Sequence, residues 1–307
     1  MAKIIHSIVV LAVLLVFSGA AHAQLFGLTI EGTERSADTN TPRINGFGES
    51  SLYSIDPDTG NAVLIGPTGF YFCRGLDFHP FTNVLYAACF DQLDQQVLII
   101  IDIETGAGTE VAPIFPDGPL DDMSFRSDGT LFASFRSKPG IFIETIDTNT
   151  GALNFLGFTG LFGAGNGIGF DQFNELFLAQ TDMIPSLYLL NQSSGLASLV
   201  TDLTVPPVIE NVPVFNSLDL NPDTHVMFAS LDDVSFSYDN YLVTINTETG
   251  EVTNVGETAE GLEAIAFLNP RLSNIPTMSE YGMAAVGLAL LSISIFTLYR
   301  RKRIAAD

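Results

Sequence analysis

A five-residue turn recurs five times along this chain and constrains its fold more than any other feature. Asp or Asn opens the turn, Thr or Ser stands three places on, and Gly closes it. The pairs are Asp56 with Gly60, Asp102 with Gly106, Asp147 with Gly151, Asn191 with Gly195 and Asn246 with Gly250, and the turns start 46, 45, 44 and 55 residues apart. The opening side chain accepts hydrogen bonds from the turn's own backbone, and the glycine supplies the positive φ that a tight hairpin needs. β-Branched and aromatic residues flank every turn, as with Leu52, Tyr53 and Ile55 before the first and Val63, Leu64 and Ile65 after it. A repeat near 45 residues built this way predicts units of four short strands. Such a unit cannot bury its faces alone and must stack on its neighbours.

A second segment recurs between the turns: Leu76-Asp77-Phe78, Met123-Ser124-Phe125, Ile168-Gly169-Phe170, Leu218-Asp219-Leu220 and Ile265-Ala266-Phe267. The first four are each followed by a further strand, as in Leu85-Tyr86-Ala87, whereas the fifth has no successor. The strand it lacks is found early in the chain, at Leu25-Phe26-Gly27-Leu28. This order resembles the blades of NHL and related β-propellers, whose innermost strand reads like Gly-Leu-Asp-Phe. The resemblance implies an all-β, five-bladed β-propeller over residues 24–270. Four blades would run continuously, and a composite closing blade would take its inner strand from the end of the domain and its outer three from the start. A six-bladed ring using the insert at 32–50, or a β-sandwich, are the alternatives. That insert is rich in Thr, Asn, Gly and charge and reads as a loop, as does the Pro-rich stretch at 205–214. No helical periodicity interrupts the repeat.

Both ends of the chain are apolar. Lys3 precedes an apolar run at 4–17 and then Ala21-His22-Ala23, which fits a small-x-small cleavage site. A signal peptide over 1–23, cut by signal peptidase, is the expectation. At the other end an apolar run at 283–299, about 25 Å long as a helix, reads as a single transmembrane helix. Arg300, Arg301, Lys302 and Arg303 follow it, and such a basic cluster (tail 300–307) stays cytoplasmic and leaves the propeller outside. A linker and short motif occupy 271–282. The motif, Ile275, Pro276, Thr277, Met278, Ser279, Glu280, Tyr281 and Gly282, resembles the Ile-Pro-Thr-Leu-x-x-Trp-Gly sorting signals of bacterial exosortase substrates. It departs from them at Met278 and Tyr281. The resemblance implies an exosortase-type membrane enzyme as processing partner and a destination at the cell surface or in the extracellular matrix. A permanent membrane anchor is the alternative.

Of 12 basic and 35 acidic residues, five and two fall in the two ends, so the mature domain carries a net charge of about −26. That sign sets nucleic-acid binding aside. The two cysteines, Cys73 and Cys89, sit on arms of one predicted hairpin whose register places Leu76 opposite Tyr86, Phe78 opposite Val84 and Cys73 opposite Cys89. In an oxidising compartment this reads as a disulfide, against the alternative of two unbridged thiols.

Little else carries chemistry. His6 and His22 fall in the leader, leaving His79 and His225, which read as solvated turn residues in non-adjacent blades; no triad or zinc set can be assembled. The glycine-dense stretch from Gly163 to Gly169 leads into a strand, not a helix, and suits a tight approach to the axis. No EF-hand loop is present. No metal or cofactor is expected. One constellation remains: Arg74, Asp121, Asn166, Asn216 and Glu263 occupy equivalent places before each inner strand, with Asp122 adjoining. In a propeller these meet at one channel mouth and would make a ligand ring. The function expected is a non-enzymatic binding or interaction module with a surface or matrix partner. An exported hydrolase of glycosidase or lactonase type, using Asp121 and Glu263 as a carboxylate pair, is the alternative.

Overall fold

The computed structural model describes residues 22–30, 48–163, 166–181, 184–209, 211–234 and 239–269. The expected leader as far as residue 21, most of the insert, the sorting motif at 275–282, the apolar run at 283–299 and the basic tail lie outside the described residues.

Every regular element described is a strand. They are β1 (Gln24–Thr29), β2 (Glu49–Ile55), β3 (Ala62–Phe78), β4 (Leu85–Phe90), β5 (Gln96–Ile101), β6 (Gly108–Pro113), β7 (Leu120–Phe125), β8 (Leu131–Ser137), β9 (Gly140–Ile146), β10 (Leu153–Phe158), β11 (Asn166–Phe170), β12 (Leu176–Gln180), β13 (Ser186–Leu190), β14 (Ala197–Asp202), β15 (Val212–Leu220), β16 (Met227–Val234), β17 (Asp239–Ile245), β18 (Val252–Glu257) and β19 (Leu262–Leu268). They pair as antiparallel runs of four: β19-β1-β2-β3, β3-β4-β5-β6, β7 to β10, β11 to β14, and β15 to β18. The 17-residue β3 serves two runs, pairing β2 with its first part and β4 with its last. The first strand lies between the last and the second, with Gln24 opposite Leu268 and Leu25 opposite both Phe267 and Ile55.

The repeated turns have the geometry that their residues require. In each, the opening side chain accepts from the amide two residues on, as at Asp56 with Asp58 (2.9 Å) and Asn246 with Glu248 (3.0 Å). The closing glycines all have φ between 70° and 80°. They also sit hard against the preceding run: a Cβ on Gly106 would fall 2.3 Å from the Gly66 carbonyl oxygen, and one on Gly195 2.4 Å from that of Gly157.

Cys73 and Cys89 form a disulfide, joining β3 to β4. The hairpin register differs by one residue from the expectation at its turn end, where Leu76 pairs with Ala87 and Phe78 with Leu85. A bulge at Gly75, whose φ is +65°, shifts the pairing so that Arg74 stands opposite Ala88. The extra residue in β3 absorbs the slip before the cysteines are reached.

The five inner strands β3, β7, β11, β15 and β19 lie against one another in succession, and β19 lies against β3. Their middle positions, Leu76, Met123, Ile168, Leu218 and Ile265, are all almost fully buried. Apart from one parallel pairing, Asn166 with Phe215 between β11 and β15, the inner strands are hydrogen-bonded along their length on one side only, so N–H groups on the free side need acceptors. Carboxylates of adjoining inner strands supply them. Asp77 accepts from Phe125 N–H (2.6 Å), Asp122 from Ile168 N–H (2.8 Å) and Leu218 N–H (3.2 Å), and Asp219 from Phe267 N–H. Glycine elsewhere keeps the strands close, since a Cβ on Gly167 or Gly169 would lie 2.8 Å from Ser217 or Leu218.

Candidate binding site at the head of the inner strands

The site is built where the inner strands begin, from residues whose chain partners are mostly 40 or more positions away. Asp121, at the start of β7, is its centre and is 3% exposed. Its Oδ1 meets Arg74 Nη1 at 3.3 Å and also pairs with Nε of Arg136, while its Oδ2 accepts from Asn166 Nδ2 at 2.9 Å. Arg74 reaches a second carboxylate with its other terminal nitrogen, Glu263 Oε2 at 3.2 Å. Beneath it lies the ring of Phe72, 4.7 Å from the guanidinium carbon. The expected ring members Arg74, Asp121, Asn166 and Glu263 are therefore brought together. Asn216 follows Phe215, the residue paired with Asn166 across β11 and β15, and is 5% exposed.

Asp122 does not belong to this ring, and here the sequence expectation is corrected. Successive residues of a strand point to opposite sides, and Asp122 points inward. Its oxygens are taken by Ile168 N–H, Leu218 N–H and the Ser217 hydroxyl (3.2 Å), which leaves a ligand no access. Burial pushes its carboxyl well above the ordinary value.

Sequence reasoning missed Arg136 on β8 and Asp232 on β16. Both come from second strands that run on past the repeat and fold their ends over the inner ones: Phe135 pairs with Leu120 and Asp232 with Val214. The charged residues ending otherwise apolar strands, Arg136 after Phe135 and Asp232 and Asp233 after Leu231, were the available signal. Burial, then Glu263, Asp233 and Asp239, push the Asp232 carboxyl up to about 6. Burial likewise raises Asp121, against the pull of Arg136 and Arg74.

Several buried polar atoms here lack a hydrogen-bond partner among the described residues: Arg74 Nε, Asn166 Oδ1, Asn216 Nδ2 and Asp232 Oδ1. Native structures leave few such groups unpaired, so their collection at one end marks a place prepared for water or a ligand. The described residues hold no cluster of three or more His, Cys, Asp or Glu side chains fit for a metal ion.

The histidines stand apart. His79 stands half-buried in the turn after β3, with its ring against Phe125 at 5.1 Å. His225 is exposed in a turn with φ of 58°.

No protein-family model and no curated protein matches the chain. Among solved structures it is similar to a chain of the Nidogen/Laminin complex, with 10% identity, 80% of this chain and 98% of that chain covered, and a TM-score of 0.50. It also aligns with TolB from Acinetobacter baumannii (12% identity, 80% and 66% covered, TM-score 0.45) and with the putative TolB from Agrobacterium tumefaciens (11%, 80% and 92%, 0.45). Identities this low speak to fold alone. The described region has an all-β, propeller-like fold.

Proposed function

We propose that the chain is the precursor of an exported five-bladed β-propeller that works at the cell surface or in the matrix as a non-enzymatic binding module, with the cluster around Asp121 as its ligand site. Five antiparallel runs of four strands support the blade count, and the pairing of β19 with β1 supports a composite closing blade. An exosortase-type enzyme processes the signal at 275–282, a reading that rests on the motif, the apolar run and the basic tail in the sequence.

The observation that carries binding over catalysis is the position of Arg74. It stands between Asp121 and Glu263 and pairs with both. A glycosidase needs one carboxyl free as acid and one free as base or nucleophile. Here the first is buried under two guanidinium groups. The hydrolase reading keeps one observation in its favour, the Asp232 carboxyl raised to about 6 beside Glu263.

The test is an array of glycans and peptides probed with the purified chain and with an Asp121→Ala/Glu263→Ala variant. Loss of the recognised ligand in the folded variant supports the reading, and undiminished binding overturns the site. Turnover of chromogenic glycosides or lactones that Asp232→Asn abolishes would establish the hydrolase instead. Mass spectrometry of the protein recovered from its host tests the sorting step: a C-terminus within 275–282 supports it, and an intact Asp307 end overturns it.

A further inference from the structure

At the other end of the inner strands, one junction between runs differs from the rest. At four junctions an edge-to-face aromatic pair joins the second strand of one run to the inner strand of the next: Phe26 with Phe78 (5.6 Å), Tyr86 with Phe125 (5.5 Å), Phe132 with Phe170 (5.4 Å) and Phe228 with Phe267 (5.1 Å). At the fifth, Phe177 of β12 has Leu220 of β15 in place of the second ring. A cleft of about 850 Å³ opens there, lined by both residues and by Val200 and Val226, which are 41% and 39% exposed. Its size is that of a pocket for a small ligand or a peptide side chain with its neighbours.

The preceding junction shows what fills such a space. Arg126, the first residue after β7, lays its guanidinium carbon 5.3 Å from the centre of the Phe132 ring and donates to Gln192 Oε1 at 3.0 Å. The corresponding residues at the open junction are Asp171, directly after β11, Phe177 for Phe132, and Thr247 for Gln192. The cation is replaced by a carboxylate, and Glu175, Glu248 and Glu251 add three more around the same cleft. An aromatic floor with four carboxylates around it and no arginine or lysine in its lining is complementary to a cation with apolar neighbours.

We infer that this cleft docks an arginine-bearing, extended segment of a partner protein, its guanidinium taking over Phe177 the place that Arg126 takes over Phe132. Apolar residues beside that arginine rest on Val200 and Val226. The site is independent of the cluster around Asp121 and of the sorting step.

The test is fluorescence anisotropy of the purified full-length chain with a labelled peptide, acetyl-Leu-Arg-Val-Arg-Leu-amide, and with the same peptide carrying citrulline for arginine. The arginine peptide binds at least about tenfold more tightly than its neutral twin. Leu220→Phe, which restores the missing ring, and the surface double variant Glu248→Gln/Glu251→Gln each weaken it about tenfold. Glu104→Gln/Glu110→Gln, exposed acids elsewhere, leave it unchanged. Equal binding of the two peptides, no binding of either, or equal losses in the two double variants would overturn the proposal. The last result would mean diffuse attraction to an acidic protein. Should Leu220→Phe fail to fold, the two double variants decide the matter.

Discussion

Asp122 illustrates how a single buried carboxylate holds three strands of this protein. Its hydrogen bonds to Ile168, Ser217 and Leu218 satisfy donors on two other inner strands, β11 and β15. Removing the acceptor leaves those donors buried and unpaired, at about 1–3 kcal/mol for each group that water cannot reach. Asp122→Ala is therefore expected to lower the unfolding free energy by roughly 3 kcal/mol or more in urea titration, and Asp122→Asn, which keeps an acceptor, to lower it less. Asp77, like Asp122, is raised by burial, and it has a second buried acid, Asp219, near it. Burial pushes the Asp77 carboxyl up to about 7, and Asp219 is held well above the ordinary range by burial and by Asp77. A carboxyl whose value is higher folded than unfolded binds its proton more tightly in the native state. Its contribution to stability is complete below about pH 4 and is lost as the pH rises through about 7. Asp77→Asn, neutral throughout, lacks this loss. Its melting temperature relative to the parent should rise between pH 4 and pH 8, and a constant difference across that range would refute the assignment.

At the scale of elements, the hairpin of β3 and β4 is tied across its strands by a covalent bridge. The disulfide closes a separation of 16 residues, for which loop entropy gives about 3 kcal/mol. Cys73→Ser/Cys89→Ser should lose about that much in denaturant titration, with the same baseline spectra, if the bridge acts mainly on the unfolded chain. Much at this scale was legible in the sequence. The turns from Asp56 to Asn246, the inner strands and the cysteine partnership all follow from local residue types at fixed spacing. The bulge at Gly75 was not legible, since a glycine before Leu76 is equally compatible with a regular strand. The cluster around Asp121 was half legible. Its members on the inner strands share a repeat position, but Arg136 and Asp232 arrive from second strands whose extra length is set by packing across runs. Asp121 and Asp122 could not be told apart by position in the repeat. The alternation of the strand separates them, and which of the two faces inward depends on the neighbouring strands.

The whole molecule has its first and last described strands side by side. Gln24 and Leu268 are Cα partners, so a short Gly-Ser link between them and a new opening at the exposed turn between Leu93 and Asp94 should give a permuted chain that still unfolds cooperatively near the parent's melting temperature. Loss of cooperative unfolding would show that the original strand order matters to more than connectivity. The same pairing also governs when the protein can fold. Of the described strands, β1 is the earliest to leave any machine that makes or moves the chain from its N-terminus, and its inner partner β19 is the latest. Contacts this distant in sequence form slowly. Until β19 appears, β1 has β2 on one side and an unpaired edge on the other, open to pairing with another molecule. A polypeptide with this layout depends on being kept apart from its copies until β19 has been made, and the arrival of that strand is the event that ends the exposure.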